Sequence, residues 1–265
     1  MGEAIVVTSG KGGVGKTTTS ANIGTALAIN GKKVCLVDGD IGLRNLDVMM
    51  GLENRIIYDL VDVIDGQCKL QQALIKDKRF EHLFLLPAKQ TKDKSAVTVE
   101  QMDALIKELK QDFDYVIIDC PAGIEQGFKN AVSGADQAIV VTVPEPTAVR
   151  DADRVIGLLE KEKSTSPKLI INRIRYGMMK QGDMLDVDDV IQQLGIEIVG
   201  VVPDDERVIK ASKDGEPIVM NHESRAALAY RNIARRILGE QVPLLNLEEK
   251  EGGFMTRMKK LFGMR

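Results

Sequence analysis

The chain has little cysteine, little histidine and no long apolar run, and each shortage narrows what the protein can be. Its 265 residues hold three cysteines and two histidines. Cys35, Cys68 and Cys120 lie far apart and form no C-x-x-C pair. This argues against a disulfide framework and against a metal or cluster site built by one chain. Cys35 and Cys120 fall in or beside apolar strand patterns, where buried thiols are expected. His82 and His222 are isolated, and no partner suggests catalysis. No apolar segment approaches the length of a transmembrane helix. The opening residues lack the charged region and long apolar core of a signal peptide, and Val6 stands where a myristoylation motif needs Ser or Thr. A net charge of only −3 supplies no global field toward nucleic acid. With 44% apolar and 28% charged residues the composition is that of an ordinary globular protein, long enough for a large core.

What is present is a phosphate loop. Gly10-Lys11-Gly12-Gly13-Val14-Gly15-Lys16-Thr17 follows the apolar run Ala4-Ile5-Val6-Val7 and fits G-x-x-x-x-G-K-[ST]. Glycines let the backbone wrap a polyphosphate with its N–H groups inward. In that pattern Lys16 reaches the β/γ oxygens, and the Thr17 hydroxyl can ligate Mg²⁺. The segment after Lys16 reads as a helix, whose positive end also favours phosphate. The ligand expected is ATP or another nucleoside triphosphate, held by Lys11, Gly12, Gly13, Val14, Gly15, Lys16, Thr17 and Thr18. A rival reading exists, because Gly10, Gly12 and Gly15 also spell G-x-G-x-x-G, with Asp38 about 20 residues on as the ribose acid. A dinucleotide site has no use for Lys16-Thr17 as a pair. Asp40 follows Asp38 in an Asp-Gly-Asp turn that suits metal or water better than ribose.

Apolar runs alternate with helical patterns along the chain. The runs are Ala4 to Thr8, Lys33 to Asp38, Leu83 to Leu86, Tyr115 to Asp119, Gln137 to Val143, Lys168 to Asn172 and Ile198 to Val202. Helical spacing appears over Val99 to Leu109 and Ala148 to Leu159. Continuously apolar strands are buried on both faces, so the expected fold is α/β, a doubly wound, mostly parallel sheet with helices on both faces. Ligands of such sheets sit at the carboxyl ends of the strands, where Asp38, Asp40 and Asp119 fall. One ATPase domain is expected over 1–247, then a linker over 248–253 and an amphipathic helix over 254–265.

Asp119-Cys120-Pro121-Ala122-Gly123 closes the strand expected beside the loop. Asp119 is the candidate Mg²⁺ ligand, directly or through water, and Gly123 a switch hinge. Asp40 is the candidate for positioning the attacking water, since phosphoryl transfer depends mostly on placement and charge neutralisation. Lys11 comes too early to do the work of Lys16. It either points into water or crosses to a partner's phosphates in a face-to-face dimer, as an arginine finger does. Asn172 and Pro203-Asp204-Asp205 follow strands where an adenine would reach, though an Asn at a strand end is commonly a cap or turn residue. The helix through Asp151, Asp153 and Arg154 has a charged face, ordinarily a matter of solvation.

The tail is the second strong signal. Glu248-Glu249-Lys250-Glu251-Gly252-Gly253 is a polar linker with a glycine hinge. Phe254, Met255, Met258, Leu261 and Phe262 then fall on one helical stripe, with Arg257, Lys259 and Lys260 on the other face. So short a helix is not stable alone in water and suits a segment that folds on an anionic phospholipid surface. One such tail binds weakly, and two on a dimer gain by effective concentration. A last helix packed on the domain and a calmodulin-like partner groove are the alternatives.

Together the loop with Lys11, the Asp38/Asp40 turn, Asp119 to Gly123, Asn172-Arg173, Pro203 to Asp205 and the basic amphipathic tail resemble the deviant Walker A ATPases of the ParA/MinD family, in its septum-site-determining branch. The resemblance spans essentially the whole chain. It implies a homodimer in the ATP state with Lys11 acting across it, and Lys11, Lys16, Asp40 and Asp119 as the catalytic set. Asn172, Arg173, Pro203 and Asp205 would lie at the nucleotide. The resemblance also implies reversible, peripheral binding to the cytoplasmic face of the cell membrane and recruitment of the division inhibitor MinC. It makes Asp151, Asp153 and Arg154 a partner surface, and it leaves open whether a MinE-type activator or a polar scaffold positions the protein. Partition-type relatives bind DNA and lack such a tail, whereas no sequence-specific nucleic acid is expected here. Flagellar-number ATPases share loop and tail but usually carry an extension before the first strand. A metabolic nucleotide enzyme with a packed last helix is the alternative from another class.

Overall fold

The structure, a computed structural model, describes residues 1–90, 97–162 and 167–248. The amphipathic segment and its linker beyond Glu248 lie outside the described residues.

Among those residues eight strands form one sheet. They are β1 (Glu3–Thr8), β2 (Val34–Asp38), β3 (Ile75–Lys76), β4 (Leu83–Leu86), β5 (Tyr115–Asp119), β6 (Gln137–Thr142), β7 (Lys168–Ile174) and β8 (Ile198–Pro203). Their order is β3-β4-β2-β5-β1-β6-β7-β8. Every neighbouring pair is parallel except β3 with β4. The seven expected runs are the seven parallel strands. The exception, β3, is two residues long and too short for any periodicity to reveal.

Alternation along the strands explains the two layers of helices. Ala4 and Val6, Cys35 and Val37, and Val116 and Ile118 point to one core. That core is closed by α5 (Val99–Asp112), α6 (Gln126–Ser133), α7 (Pro146–Glu162) and α9 (Val187–Leu194), through residues such as Met102, Ile106, Phe128, Val155 and Val190. Ile5 and Val7, Val34 and Leu36, and Ile117 point to the other core. There α1 (Lys16–Ile29) and α11 (Arg225–Ile237) cover the sheet with Ile23, Leu27, Tyr230 and Ile233. Side chains on successive residues leave a strand on opposite faces, so each central strand feeds both cores.

Short helices connect the larger elements: α2 (Leu46–Met49), α3 (Leu60–Ile64), α4 (Leu70–Ala73), α8 (Tyr176–Gln181) and α10 (Glu206–Lys213). Register brings the chemistry together. Val7 of β1 pairs with Asp119 of β5, and Asp119 pairs with Asp38 of β2. The loop after β1 and both carboxylates therefore share the carboxyl edge of three adjacent strands. Cys35 and Cys120 are buried and Cys68 is half-buried, all free thiols.

The segment after Asp119 returns through α6, whose last turn is packed closely on α5. A Cβ added at Gly134 would stand 2.7 Å from the Cβ of buried Ile106. Gly134→Ala is expected to cost about 1–3 kcal/mol by overpacking. Urea unfolding checks this; an unchanged midpoint would contradict the close α5–α6 contact.

Candidate nucleotide site

The phosphate loop occupies residues 9–17, between β1 and α1. Gly15 stands at the N-cap of α1 with φ 98°, left-handed backbone that suits glycine. No side chain caps α1, and its first turn holds no acid. Its first N–H groups are left for an anion. A cleft of about 490 Å³ opens here, lined by Gly13, Gly15, Lys16, Thr17, Thr18 and Arg173, and by Asn45, Val48 and Met49 opposite.

Lys16 is only 8% exposed, and its Nζ donates to Ser9 Oγ at 3.0 Å. Burial lowers its pKa, against the pull of nearby Asp119. Asp119 is buried too. Its pKa is pushed up to about 6 by loss of water, while hydrogen bonds from Thr17 and Ser20 and the charge of Lys16 favour the carboxylate. Ser20 Oγ donates at 2.9 Å. Asp38 is raised to about 7, by burial first and by the charge of Asp119 second. Its two oxygens accept from the backbone N–H groups of Asp40 (3.0 Å), Asn45 (3.1 Å) and Leu46 (3.2 Å). Asp38 thus clamps the turn that carries Asp40 and presents Asn45 to the cleft. A ribose would have to displace that clamp.

Thr17 hydrogen-bonds to Asp119, so the two candidate Mg²⁺ ligands are neighbours. Among the described residues no group of three or more His, Cys, Asp or Glu could hold a metal by itself. A divalent ion here must therefore draw on substrate and water oxygens, which is how Mg²⁺ is commonly held. The residues fit it.

Asn172 is 5% exposed, with its side chain turned under the loop: Nδ2 donates to the Val14 carbonyl at 2.9 Å. A Cβ at Gly15 would sit 2.4 Å from that same nitrogen. Pairing of β7 with β8 shifts register between Ile171 and Ile174, and Arg173 takes φ 55°. The irregularity buries Asn172 and sends Arg173 to the cleft wall. Asp205 is the N-cap of α10, accepting from Arg207 N at 3.0 Å and from Ser224 Oγ at 2.6 Å. Pro203 is half-buried at the end of β8, and neither residue lines the cleft beside the loop.

Lys11 is exposed at the rim. Its Nζ lies 3.5 Å from Glu145 Oε2 and 3.4 Å from Thr147 Oγ1, at the start of α7. On that helix Asp153 and Arg154 are exposed, with Asp151 half-buried and 3.8 Å from Arg154. Ser9, Ser20 and the Asn172 bond to Val14 are parts of the site that sequence reading missed. Isolated serines carry no motif, and the Asn172 bond spans 158 residues.

A central parallel strand that opens into a glycine loop, a buried Lys16 and a strand-end Asp119 define a P-loop nucleoside triphosphatase. Residues 1–238 match the family model described as ParA, NUBPL iron-transfer P-loop NTPase. The chain is 68% identical to the septum site-determining protein MinD of Bacillus subtilis (strain 168), over all of both sequences. It is similar to a MinC:MinD cell division protein complex from Aquifex aeolicus, at 49% identity and a TM-score of 0.86, covering 92% of this chain and 99% of that one. A septum site-determining MinD from Pyrococcus horikoshii, solved with Mg-ADP, matches at 30% identity and a TM-score of 0.81, covering 91% and 100%. The chain belongs to the septum site-determining MinD family of P-loop ATPases.

Asp38 holds its proton more tightly when folded, near pH 7, than when unfolded, near 3.8. Its contribution to stability is therefore greatest in acid and is lost as pH rises from about 4 to 7. Nucleotide-free wild type is expected to lose on the order of 2–4 kcal/mol through this group. Asp38→Asn should flatten that slope in urea unfolding between pH 5 and 8. Parallel slopes for the two proteins would contradict the reading.

Proposed function

We propose that the protein is an ATP-driven membrane switch that helps place the division septum: it pairs on binding ATP, holds an anionic membrane through two tails and recruits a MinC-type inhibitor. The observation that carries this is the pair of lysines in one loop. Lys16 is buried against Ser9 and serves its own chain's phosphates, whereas Lys11 is exposed at the rim. The contact of Lys11 with Glu145 is solvated on both sides, at 44% and 56% side-chain exposure. Such a pair is worth about 0–1 kcal/mol, so little holds Lys11 in its own chain. A second copy presented face to face offers it a polyphosphate.

In this reading each residue has a task. Backbone N–H groups of Gly12 to Thr18 and the ammonium of Lys16 bind the phosphates. Thr17 and Asp119 would hold Mg²⁺, which supplies charge neutralisation on the phosphate oxygens. Asp40 orients the attacking water, and the Asp38 clamp fixes the turn on which Asp40 rides. Lys11 from the second copy neutralises transition-state charge, an effect worth roughly 10³–10⁵ in rate for fingers of this kind. Asn172 and Arg173 support the loop and the nucleotide, with Pro203 and Asp205 beyond them toward the adenine. The relatives named for septum placement and the relative solved with a MinC partner support the division role. The exposed Asp153 and Arg154 on α7, beside Asp151, are the partner surface. Among the described residues no helix is long and apolar enough to cross a membrane, which is compatible with a peripheral attachment through the tail.

Sedimentation with anionic liposomes tests the reading. Wild type should pellet with a non-hydrolysable ATP analogue and stay in solution with ADP. Lys11→Ala should still bind nucleotide while losing dimerisation in light scattering and, with it, pelleting. Equal pelleting with both nucleotides, or unchanged dimerisation of Lys11→Ala, would refute it.

A further inference from the structure

The wall of the nucleotide cleft that faces the phosphate loop is assembled from two distant stretches of chain. Asn45, Val48 and Met49 belong to α2 and its N-cap, and Ser212 and Lys213 to the end of α10. Neither helix is long enough to hold its place alone, and α10 buries none of its residues. At their N-terminal ends both are tied by an acid. Asp38 accepts from the N–H groups of Asn45 and Leu46, and Asp205 caps α10 while accepting from Ser224. Their C-terminal ends meet at a residue that belongs to no motif. Arg79 lies in the turn between β3 and β4. Its Nη2 donates to the Met50 carbonyl at 2.5 Å, just past α2. Its Nη1 donates to the Gly215 carbonyl at 2.9 Å, just past α10.

Asp77 aims the guanidinium. Its carboxylate accepts from Arg79 Nε at 3.0 Å and from Nη2 at 2.7 Å, and it also takes the Arg79 backbone N–H at 2.8 Å. Asp77 is 2% exposed, and its own N–H donates to the Leu83 carbonyl at 2.9 Å, so the ion pair is built into the hairpin. A guanidinium is a planar fork with donors left over once a carboxylate has taken one edge. Here the spare donors go to carbonyls at two helix C-termini, groups that lack an intrahelical partner and carry the negative end of the helix dipole. The two ends are pressed together. A Cβ added at Gly215 would stand 2.7 Å from the Gly51 Cα. A lysine in place of Arg79 could still pair with Asp77, but its compact ammonium has no fork to span both carbonyls.

We propose that Arg79, aimed by Asp77, is a positioning residue of the nucleotide site: it fastens α2 and α10 into one wall and so fixes the width of the cleft. The inference rests on the reading of this cleft as the nucleotide site. Arg79 does not line the cleft and acts through Val48, Met49, Ser212 and Lys213, which do. The phosphates depend on the loop and on Lys16, which the clip does not touch. The nucleoside has to fit between the loop and the far wall, so it is the part of the ligand that feels the clip. If the wall is in place only part of the time, the apparent affinity for a nucleotide falls by that fraction. A ligand made of phosphates alone escapes the loss.

The test compares two ligands on the full chain by calorimetric titration. In Arg79→Lys, Mg·ADP should bind roughly 3- to 10-fold more weakly than in wild type. Mg·pyrophosphate, which needs only the loop, should bind within about 2-fold of wild type. Arg55→Lys is the control, because Arg55 Nη1 donates at 2.7 Å to the Lys76 carbonyl of the same hairpin and does not line the cleft. It should leave both affinities unchanged. Amide exchange supplies the second readout. The Leu52 N–H donates to the Asp47 carbonyl and the Glu216 N–H to the Ala211 carbonyl, so they report on the ends of α2 and α10. In Arg79→Lys both should exchange at least about 5-fold faster, with the amides of β5 unchanged. The wild type needs no substitution: Mg·ADP should slow the two reporters together, and Mg·pyrophosphate should slow neither. That measurement decides the matter if Arg79→Lys does not fold. Equal losses for the two ligands, an ADP affinity within about 2-fold of wild type, or a response at one reporter without the other would overturn the proposal. If Mg·ADP does not bind wild type at all, the nucleotide reading fails by itself, while joint acceleration of the two reporters in Arg79→Lys still upholds the clip.

Discussion

A lysine ammonium leaves water at a cost of several kcal/mol unless fixed partners replace the water. Lys16 is buried, and the structure meets that cost with Ser9 Oγ at 3.0 Å and the nearby charge of Asp119. Much of the surrounding architecture serves this arrangement. Ser9 is held by donating to the Lys11 carbonyl at 2.7 Å, which also shapes the loop. Asp119 is held by Ser20 from the second turn of α1. The lysine, the loop and the acid that will face a cation are locked together before any ligand arrives. Preorganisation of this kind lets a site stabilise phosphate charge without rearranging when the reaction occurs.

The parallel sheet makes the arrangement possible. Adjacent strands β1, β5 and β2 end together, so three carboxylates and one glycine loop share one edge. Two of these carboxylates, Asp38 and Asp119, are raised toward neutral pH by burial. They answer different needs. Asp119 looks into the phosphate site, whereas Asp38 spends its oxygens on backbone N–H groups of the following turn. From the other side of β1, Asn172 reaches under the loop to the Val14 carbonyl. The loop is therefore braced from both flanks, and its rim, with Lys11, is what remains open to a second molecule.

Legibility in the sequence followed the range of the physics involved. Strands buried on both faces announce themselves as unbroken apolar runs, such as Tyr115 to Ile118, and all seven long strands were readable that way. The phosphate loop was readable because its chemistry sits in eight consecutive residues. Short helices such as α2 and α8 carry no side-chain N-cap and owe their existence to tertiary context, so four to six residues of pattern could not declare them. β3 exists because Ile75 and Lys76 happen to meet the edge of β4. Asp38 looked like a turn residue or a ribose acid; only the fold reveals that its side chain closes the turn. Asn172 carried no local sign of its bond to Val14, because the partner is on the far side of the domain's sequence. Ser9 and Ser20 matter through what they touch, and nothing in their neighbours along the chain says so.

The central claim is that the buried Lys16 is the fixed positive centre on which nucleotide binding depends. Calorimetric titration of Mg·ADP into wild type and Lys16→Met tests it most directly, with circular dichroism to establish that both are folded. Removing a charge-assisted contact of about 1.5–3 kcal/mol predicts binding weakened by roughly 10- to 150-fold. Binding within about 3-fold of wild type, in a folded variant, would contradict the account.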